Sequence, residues 1–298
     1  MAAAVMRSEG HVMDIEELEV PVPGGHLATC RFPGAGRTVL AVHGITANAL
    51  AWSQVARTLA GRVSLVAPDL RGRADSRDLP GPYGLAAHAD DLVAVLDFLG
   101  VDRAPVVGHS MGGFVAALAA LRHPDRVESV LLVDGGVALR VPEGDDIDAI
   151  LDAVIGPALR RLSMDFASTG DYLDFWRRHP AIGPWWRPDI EPYLLRDLIG
   201  EPPRLRSSCV LPAIRADATD TLLDRDTIDA VHKVSCPVTL LYAQRGMLNE
   251  DQGLYDERRL DETGVDRGRV DVHHVPDVNH YTILLEPAGA QAVAAHIP

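Results

Sequence analysis

Ala104-Pro-Val-Val-Gly-His-Ser110-Met-Gly-Gly-Phe-Val-Ala-Ala-Leu-Ala-Ala120 places one serine between an apolar run and an alanine-rich run. The first run predicts a short strand and the second a helix, so the serine occupies the turn between them. Such an abrupt turn strains the serine backbone and requires small neighbours, which Gly108 and Gly112 supply. We therefore predict that the Ser110 hydroxyl stands at the carboxyl edge of a sheet, at the N-terminus of a helix.

The bulk composition is that of a soluble globular protein. Of 298 residues, 47% are hydrophobic and 23% are charged, and the formal net charge is −14. This acidity argues against nucleic acid or an anionic membrane as partner. Cys30, Cys209 and Cys236 form no Cys-x-x-Cys pair, which disfavours a disulfide framework and a zinc site. We expect no metal and no cofactor, and a small molecule as partner.

The sequence shows no membrane or export signal. The first residues lack a basic segment followed by an apolar one, and no run approaches the roughly 18 apolar residues of a membrane span. We therefore expect a cytoplasmic protein without a membrane span. The sequence leaves the oligomeric state open.

Predicted strands and helices alternate along most of the chain. Apolar runs predict strands before Ser110 and at 14–20, 26–32, 38–42, 63–67, 129–133, 237–243 and 270–275, with a turn at 21–25. Helical patterns occupy 51–60, 84–99, the segment from Ser110 to about 122, and 286–296. This alternation predicts an α/β fold with a mostly parallel sheet covered on both faces.

The alternation breaks after Gly136. Residues 140–228 contain no strand candidate, only helical segments cut by proline and glycine. We interpret 140–228 as an inserted helical cap, and 1–139 with 229–298 as the core.

Four motifs occur in an informative order: His43-Gly44, Asp69-x-Arg71-Gly72-x-Ala74-x-Ser76, Gly108-His-Ser-Met-Gly112, and His280 after the last strand. With these motifs the chain resembles the α/β-hydrolase superfamily, in its capped esterase, lipase, thioesterase and C–C hydrolase branch. The resemblance covers nearly everything except 140–228. Ala74 departs from the usual glycine, at a position that shapes a loop. The resemblance implies an α/β-hydrolase fold, with a mostly parallel central sheet flanked by helices and an inserted helical cap.

The resemblance also assigns the nucleophile and its base. Serine is a poor nucleophile at its own pKa, so Ser110 needs a base within hydrogen-bond reach. The family carries its catalytic histidine on a loop after the last strand, which is the place of His280. His273 and His274 lie within that strand and are weaker candidates.

Two places remain open for the acid of the triad. Most family members carry it after the strand that is 237–243 here, but Gly246 stands where the aspartate is expected. Asp134, at the end of strand 129–133, is the first candidate, because some family members take their acid from that strand end. Glu250 or Asp251 is the alternative, and a chain without a functional acid is the third.

The remaining predicted site residues are the oxyanion donors and the pocket lining, which includes the tryptophans of the predicted cap. The backbone N–H groups of Met111 and Ile45 are the expected donors of the oxyanion hole. His43 has the character of a structural residue rather than of a second base. We expect the substrate pocket to be lined by His43, His109, Trp176, Trp185, Trp186 and Tyr281.

These residues predict a carboxylesterase-like serine hydrolase. It would cleave a small-to-medium hydrophobic carboxylic ester, thioester or lactone through an acyl-enzyme on Ser110. The alternatives are an acyltransferase or a C–C bond hydrolase on the same triad, or a ligand-binding relative with little turnover. A carboxylate within reach of His280 would favour the enzyme over the binding protein.

Overall fold

The computed structural model describes residues 14–141 and 147–298. In this part of the chain the strands, numbered in order, are β1 Glu16–Val22, β2 Gly25–Phe32, β3 Thr38–Val42, β4 Ser64–Pro68, β5 Ala104–His109, β6 Val127–Val133, β7 Leu198–Glu201, β8 Arg204–Ser207, β9 Val238–Arg245 and β10 Val270–Asn279.

The helices are α1 Ser53–Leu59, α2 Leu85–Leu99, α3 Met111–Arg122, α4 Ile147–Leu162, α5 Thr169–Arg177, α6 Glu191–Arg196, α7 Leu211–Leu223, α8 Arg225–Ile228, α9 Ala230–Lys233, α10 Glu257–Glu262, α11 Thr282–Leu285 and α12 Pro287–His296. Short 3-10 turns lie at Ala49–Trp52, Ala74–Ser76, Gly183–Trp185 and Pro188–Ile190. None of the described helices combines the length and the apolar character needed to cross a lipid bilayer.

Eight strands form one sheet in the order β1-β2-β4-β3-β5-β6-β9-β10. Strand β2 runs antiparallel to both of its neighbours, and the remaining pairs are parallel. The predicted fold class, a mostly parallel sheet flanked by helices, is confirmed. The carboxyl ends of β5, β6, β9 and β10 meet at one edge, where loop residues from distant parts of the chain come together.

Helices cover both faces of the sheet, which explains the continuous apolar runs in the sequence. Neighbouring residues of a strand point to opposite faces. Val106 of β5 accordingly packs with α2 and α3, whereas Val107 packs with α1 and α12. Both side chains are 1% exposed, so an alternating polar pattern is not expected in such a strand.

The edge strand β1 is longer at its end than the sequence predicted. Pro21 and Val22 were expected in a turn, yet they pair with His26 and Gly25 of β2. Proline is tolerated there because β1 has a neighbour on one side, so a missing N–H breaks no ladder on the other side.

The chain between β6 and β9 forms an insertion, which the structure describes at 134–141 and 147–237. It holds α4 to α9 and, contrary to the prediction of no strand in 140–228, the antiparallel hairpin of β7 and β8. Each strand has four residues, and Arg204 and Arg206 alternate with Leu205 and Ser207, so no apolar run signalled it. The boundaries 140–228 of a separate cap stay a prediction.

Candidate active site

Ser110 occupies the turn between β5 and α3. Its backbone has φ 56° and ψ −126°, a left-handed φ that residues with a side chain rarely adopt. A Cβ at Gly108 would lie 2.0 Å from the carbonyl oxygen of Gly112, and one at Gly112 would lie 2.2 Å from that of Val42. Both glycines are therefore required for this turn, which places Ser110 in the wall of a cavity.

His280 follows β10 directly and contacts a carboxylate that follows β6. The Nδ1 atom of His280 lies 2.6 Å from Oδ2 of Asp134. The other oxygen of Asp134 accepts a hydrogen bond of 3.0 Å from the Ala243 backbone N–H. The Asp134 side chain is fully buried, and its carboxylate fixes the orientation of the His280 ring. His280 lines the same cavity as Ser110.

The two alternative acids lie elsewhere. Glu250 accepts a hydrogen bond of 2.8 Å from the Leu248 backbone N–H, and Asp251 has 98% of its side chain exposed. Among the described contacts, neither carboxylate is bonded to His280. A side chain at the usual acid position would be crowded, because a Cβ at Gly246 would lie 2.3 Å from the Glu250 carboxylate and 2.9 Å from the backbone carbonyl oxygen of Gln252. The structure therefore brings Asp134, and not these residues, to the histidine.

Ile45 and Met111 lie in the cavity wall as donors without acceptors. Neither backbone N–H has a hydrogen-bond acceptor within 14–141 and 147–298. The segment before Ile45 passes close to the serine, since a Cβ at Gly44 would lie 3.2 Å from Cβ of Ser110. Unpaired N–H groups beside a serine can bind an oxygen that gains negative charge.

A buried arginine that sequence reasoning missed supports this wall. Nε of Arg73 donates to the Ile45 carbonyl oxygen at 3.0 Å, and Nη2 lies 4.0 Å from Sδ of Met111. Arg73 forms an ion pair with Asp217 of α7, and both side chains are fully buried. Asp217 also lies 2.9 Å from Nε2 of His88. The insertion is thereby linked to Ile45 and Met111, the two residues of the cavity wall with unpaired backbone N–H groups.

His43 lies behind the site and not in it. Its Nδ1 lies 2.7 Å from the Gly44 carbonyl oxygen, and its Nε2 accepts a hydrogen bond from the Leu70 N–H at 3.0 Å. Because a carbonyl only accepts, Nδ1 carries the proton. Burial lowers the pKa of His43 to about 3, so the ring stays neutral. These bonds give His43 a structural role.

His109 touches the catalytic candidate directly. Its Nε2 donates to the backbone carbonyl oxygen of His280 at 2.8 Å, and the two ring centroids are 4.6 Å apart. Burial, and secondarily the nearby His280, lowers the pKa of His109 well below its usual value. A neutral imidazole with its proton on Nε2 therefore holds the loop that carries His280.

The cavity has a volume of about 620 Å³ and a mostly apolar lining. It receives residues from the core and from the insertion, and its lining includes three of the residues expected in the substrate pocket, His109, Trp176 and Tyr281. Trp176 is part of an aromatic cluster with Tyr172 and Phe175, at centroid distances of 6.4 and 5.5 Å. A cavity of this size and polarity suits a small organic molecule.

Three residues predicted for the pocket are not part of its lining. His43 is completely buried by its hydrogen bonds. Trp186 is covered by the guanidinium of Arg177, which lies 4.6 Å from its ring centroid. Trp185 belongs to the short turn Gly183–Trp185, outside the described lining. The prolines on both sides of these tryptophans indicate an irregular segment, but they do not indicate which way its side chains point.

The lining also contains a charged residue that sequence reasoning missed. Arg161 of α4 is buried and pairs with Asp197 through Nη1 and Oδ2. No pattern in the sequence distinguishes it from the other arginines of the chain. As for metals, the described residues contain no group of three or more His, Cys, Asp or Glu side chains arranged to hold an ion.

Proteins similar in sequence include two from Mycobacterium tuberculosis H37Rv. The uncharacterized protein Rv2715 is 37% identical over 112 residues, which cover 38% of this chain and 33% of Rv2715. Lipase LipV is 33% identical over 165 residues, which cover 55% of this chain and 56% of LipV. The chain therefore matches about a third to just over half of the length of these relatives.

Comparison with solved structures and with family profiles covers more of the chain. The hypothetical protein PA1622 from Pseudomonas aeruginosa PAO1 is 28% identical, with a TM-score of 0.72, over 95% of this chain and 96% of that one. The profile of the alpha/beta hydrolase fold matches residues 37–287. The matched residues include strands β3 to β10, and the protein belongs to the α/β-hydrolase family.

Proposed function

We propose that the protein is a serine hydrolase that cleaves a small-to-medium hydrophobic carboxylic ester, thioester or lactone. The observation that carries this proposal is the 2.6 Å contact between His280 and Asp134 in a cavity that also contains Ser110. A carboxylate bound to Nδ1 keeps the proton on that nitrogen, which leaves Nε2 free to act as a base.

The mechanism follows from these atoms. Nε2 of His280 takes the proton of the Ser110 hydroxyl as its oxygen attacks the substrate carbonyl carbon. The carbonyl oxygen becomes negative and receives hydrogen bonds from the N–H groups of Ile45 and Met111. His280 then gives its proton to the leaving oxygen or sulfur, and the acyl-enzyme forms. A water molecule that is deprotonated by His280 releases the acid and restores Ser110.

The cavity supports a hydrophobic acyl group. Its volume of about 620 Å³ and its aromatic and aliphatic walls fit a chain of moderate length. Because Trp176 and other residues of the insertion form part of the wall, we also propose that 140–228 acts as a cap that excludes water. The name of the relative LipV, a lipase, agrees with ester chemistry.

The test combines labelling and turnover. Purified protein is treated with a fluorophosphonate, which modifies activated serines, and is assayed with 4-nitrophenyl esters of increasing acyl length. We expect labelling at Ser110, turnover of short and medium esters, and loss of both in Ser110→Ala. Folded protein that is neither labelled nor active would contradict the proposal and favour a ligand-binding relative.

A further inference from the structure

Arg161 is a buried arginine in the wall of the proposed catalytic cavity. It lies on α4, and 3% of its side chain is exposed. Its Nη1 pairs with Oδ2 of Asp197 and lies 3.5 Å from the hydroxyl oxygen of Tyr172. Its Nε and Nη2 atoms have no hydrogen-bond acceptor among the residues that the structure describes. Two donor nitrogens of a charged guanidinium in the cavity wall are thus without an acceptor.

Asp197 has enough donors without Arg161. Its Oδ1 accepts hydrogen bonds from the hydroxyls of Ser207 and Ser208 at 2.8 and 2.9 Å, and from the Ser208 N–H at 3.2 Å. Its Oδ2 accepts the hydroxyl of Tyr172 at 2.9 Å. None of these partners belongs to the described cavity lining. The Asp197 carboxylate is therefore stabilised by donors outside the cavity lining, and the guanidinium of Arg161 lies between it and the cavity.

The charge of Arg161 reaches the cavity wall. Burial lowers the pKa of His179 to about 4, and the positive charge of Arg161 contributes in the same direction. Burial raises the pKa of Tyr281, and Arg161 acts against that rise. Asp197 is not among the charges that act on either group. The negative charge of Glu250, which also lines the cavity, acts on both groups in the opposite direction, but less strongly than Arg161 does. At His179 and Tyr281 the positive contribution of Arg161 is therefore the larger one.

A continuous row of rings connects Arg161 to the reacting centre. Ring centroids are 5.5 Å apart for His280 and Tyr281, 5.4 Å for Tyr281 and His179, and 5.4 Å for His179 and Trp176. The guanidinium carbon of Arg161 lies 5.2 Å from the Trp176 centroid. One wall of the cavity thus runs from the base, across aromatic surface, to two free N–H donors.

We propose that the acyl part of the substrate ends in a carboxylate, which binds Nε and Nη2 of Arg161. The acyl chain lies along the aromatic row, and its other end presents the scissile carbonyl to Ser110. A planar guanidinium matches a carboxylate with two parallel hydrogen bonds. The inference rests on the proposed hydrolase activity and narrows it to half-esters or half-thioesters of dicarboxylic acids. Hydrolysis by water then yields the free dicarboxylic acid and an alcohol or thiol.

The test uses pairs of substrates that differ in one charge. Monoethyl succinate, glutarate and adipate are each compared with the ethyl ester of the unsubstituted fatty acid of the same chain length, with acid release followed by pH-stat. We expect kcat/KM to be at least about 10-fold higher for one half-ester than for its neutral counterpart. The chain length that gives the largest ratio reports the distance between Ser110 and Arg161.

Variants then assign the preference to Arg161. We expect Arg161→Gln to lower the ratio of anionic to neutral kcat/KM roughly 10- to 100-fold, and Arg161→Lys to keep part of it. Arg160→Gln is the matched control, because this neighbour on α4 has 67% of its side chain exposed and lies outside the described lining. It removes the same charge and should leave the ratio unchanged.

Loss of one partner from a buried ion pair can unfold a protein. The double variant Arg161→Gln/Asp197→Asn removes both charges and keeps hydrogen-bonding side chains at both positions, and thermal unfolding checks each variant. If neither Arg161→Gln nor the double variant folds, the ratio of anionic to neutral kcat/KM in the wild-type enzyme tests the proposal. A wild-type enzyme that hydrolyses every neutral ester at least as well as its half-ester overturns the proposal.

The outcomes also separate this inference from the proposed function. Turnover of neutral esters with fluorophosphonate labelling at Ser110, but without preference for half-esters, would refute the carboxylate site and keep the hydrolase. Absence of labelling and of all turnover would refute the hydrolase itself.

Discussion

His280 and Asp134 lie 146 residues apart in the sequence, and a contact of 2.6 Å joins Nδ1 of the imidazole to Oδ2 of the carboxylate. Asp134 follows β6 and His280 follows β10, with β9 between these strands in the sheet. The carboxylate therefore has to pass the end of β9. It does so by accepting the backbone N–H of Ala243 on that strand, which explains how an acid on β6 reaches the histidine.

This contact makes Asp134 the first residue to change. Asp134→Asn keeps the size of the side chain but removes the charge that holds His280 in the useful tautomer. We expect kcat/KM for a 4-nitrophenyl ester to fall about 10³- to 10⁴-fold. Steady-state kinetics measures this loss, with circular dichroism to show that the variant is folded.

The alternative acids provide the comparison for that experiment. Asp251→Asn changes a carboxylate with 98% of its side chain exposed, and activity should remain within about 2-fold of wild type. If Glu250→Gln abolished turnover while Asp134→Asn kept it, the assignment of the acid to β6 would be wrong.

His109 should affect turnover through the backbone of His280. His109→Ala removes the 2.8 Å hydrogen bond to the His280 carbonyl oxygen, so we expect kcat to fall roughly 3- to 10-fold with a smaller change in KM. His109→Gln, which keeps a donor, should recover part of the loss. The pKa of His109 lies well below its usual value, so the acidic limb of the kcat profile should persist in His109→Gln. Disappearance of that limb would show that His109 itself titrates.

Asp217 should make stability depend on pH. Its burial would raise its pKa, but the positive charge of Arg73 and the hydrogen bonds from Arg73 and His88 outweigh burial and hold the pKa below its usual value. The ionised form therefore stabilises the fold above the unfolded pKa of about 3.9, and this contribution is lost as the pH falls towards the folded pKa. We expect Asp217→Asn to cost about 3–5 kcal/mol at pH 7.

Urea denaturation at pH 7, 5, 4 and 3 measures that difference, which should narrow below about pH 4. Asp226→Asn is the control, because 87% of its side chain is exposed in the same insertion, and it should not alter the free energy of unfolding. A gap between Asp217→Asn and wild type that stays constant with pH would contradict the electrostatic explanation.

Two glycine substitutions should have opposite effects on stability. In Gly112→Ala the new methyl group would lie 2.2 Å from the Val42 carbonyl oxygen, so we expect a loss of about 1–3 kcal/mol and lower activity. In Gly170→Ala of α5 the nearest atom, Oγ of Ser168, lies at 3.5 Å, so a gain of about 0.4–1 kcal/mol is expected. Chemical denaturation of both variants provides the measurement. Equal effects would show that close approach at Gly112 does not determine the turn.

The resemblance to the family and the fold class were available from the sequence and are confirmed. The apolar runs, the alternation of strands and helices, and the glycines around Ser110 are local patterns, and local patterns report secondary structure directly. The sequence did not predict the hairpin of β7 and β8, because four-residue strands with alternating arginines carry no such pattern. The sequence predicts a turn at Pro21, because neighbouring residues do not show that it lies at an edge of the sheet.

The same distinction between local and long-range features applies to the candidate site. The sequence by itself predicted the turn that carries Ser110. With the family resemblance it proposed His280 as the base, and it left Asp134, Glu250 or Asp251, or no functional acid as the alternatives for the acid. Tertiary structure decided which carboxylate meets the histidine, and it turned Trp186 away from the cavity and Arg161 into its wall. The physical reason is the separation in sequence of the residues that interact. A strained turn is specified by residues that are neighbours in the chain, whereas the partner of a buried carboxylate or guanidinium depends on which distant elements the packed core brings within 3 Å of it.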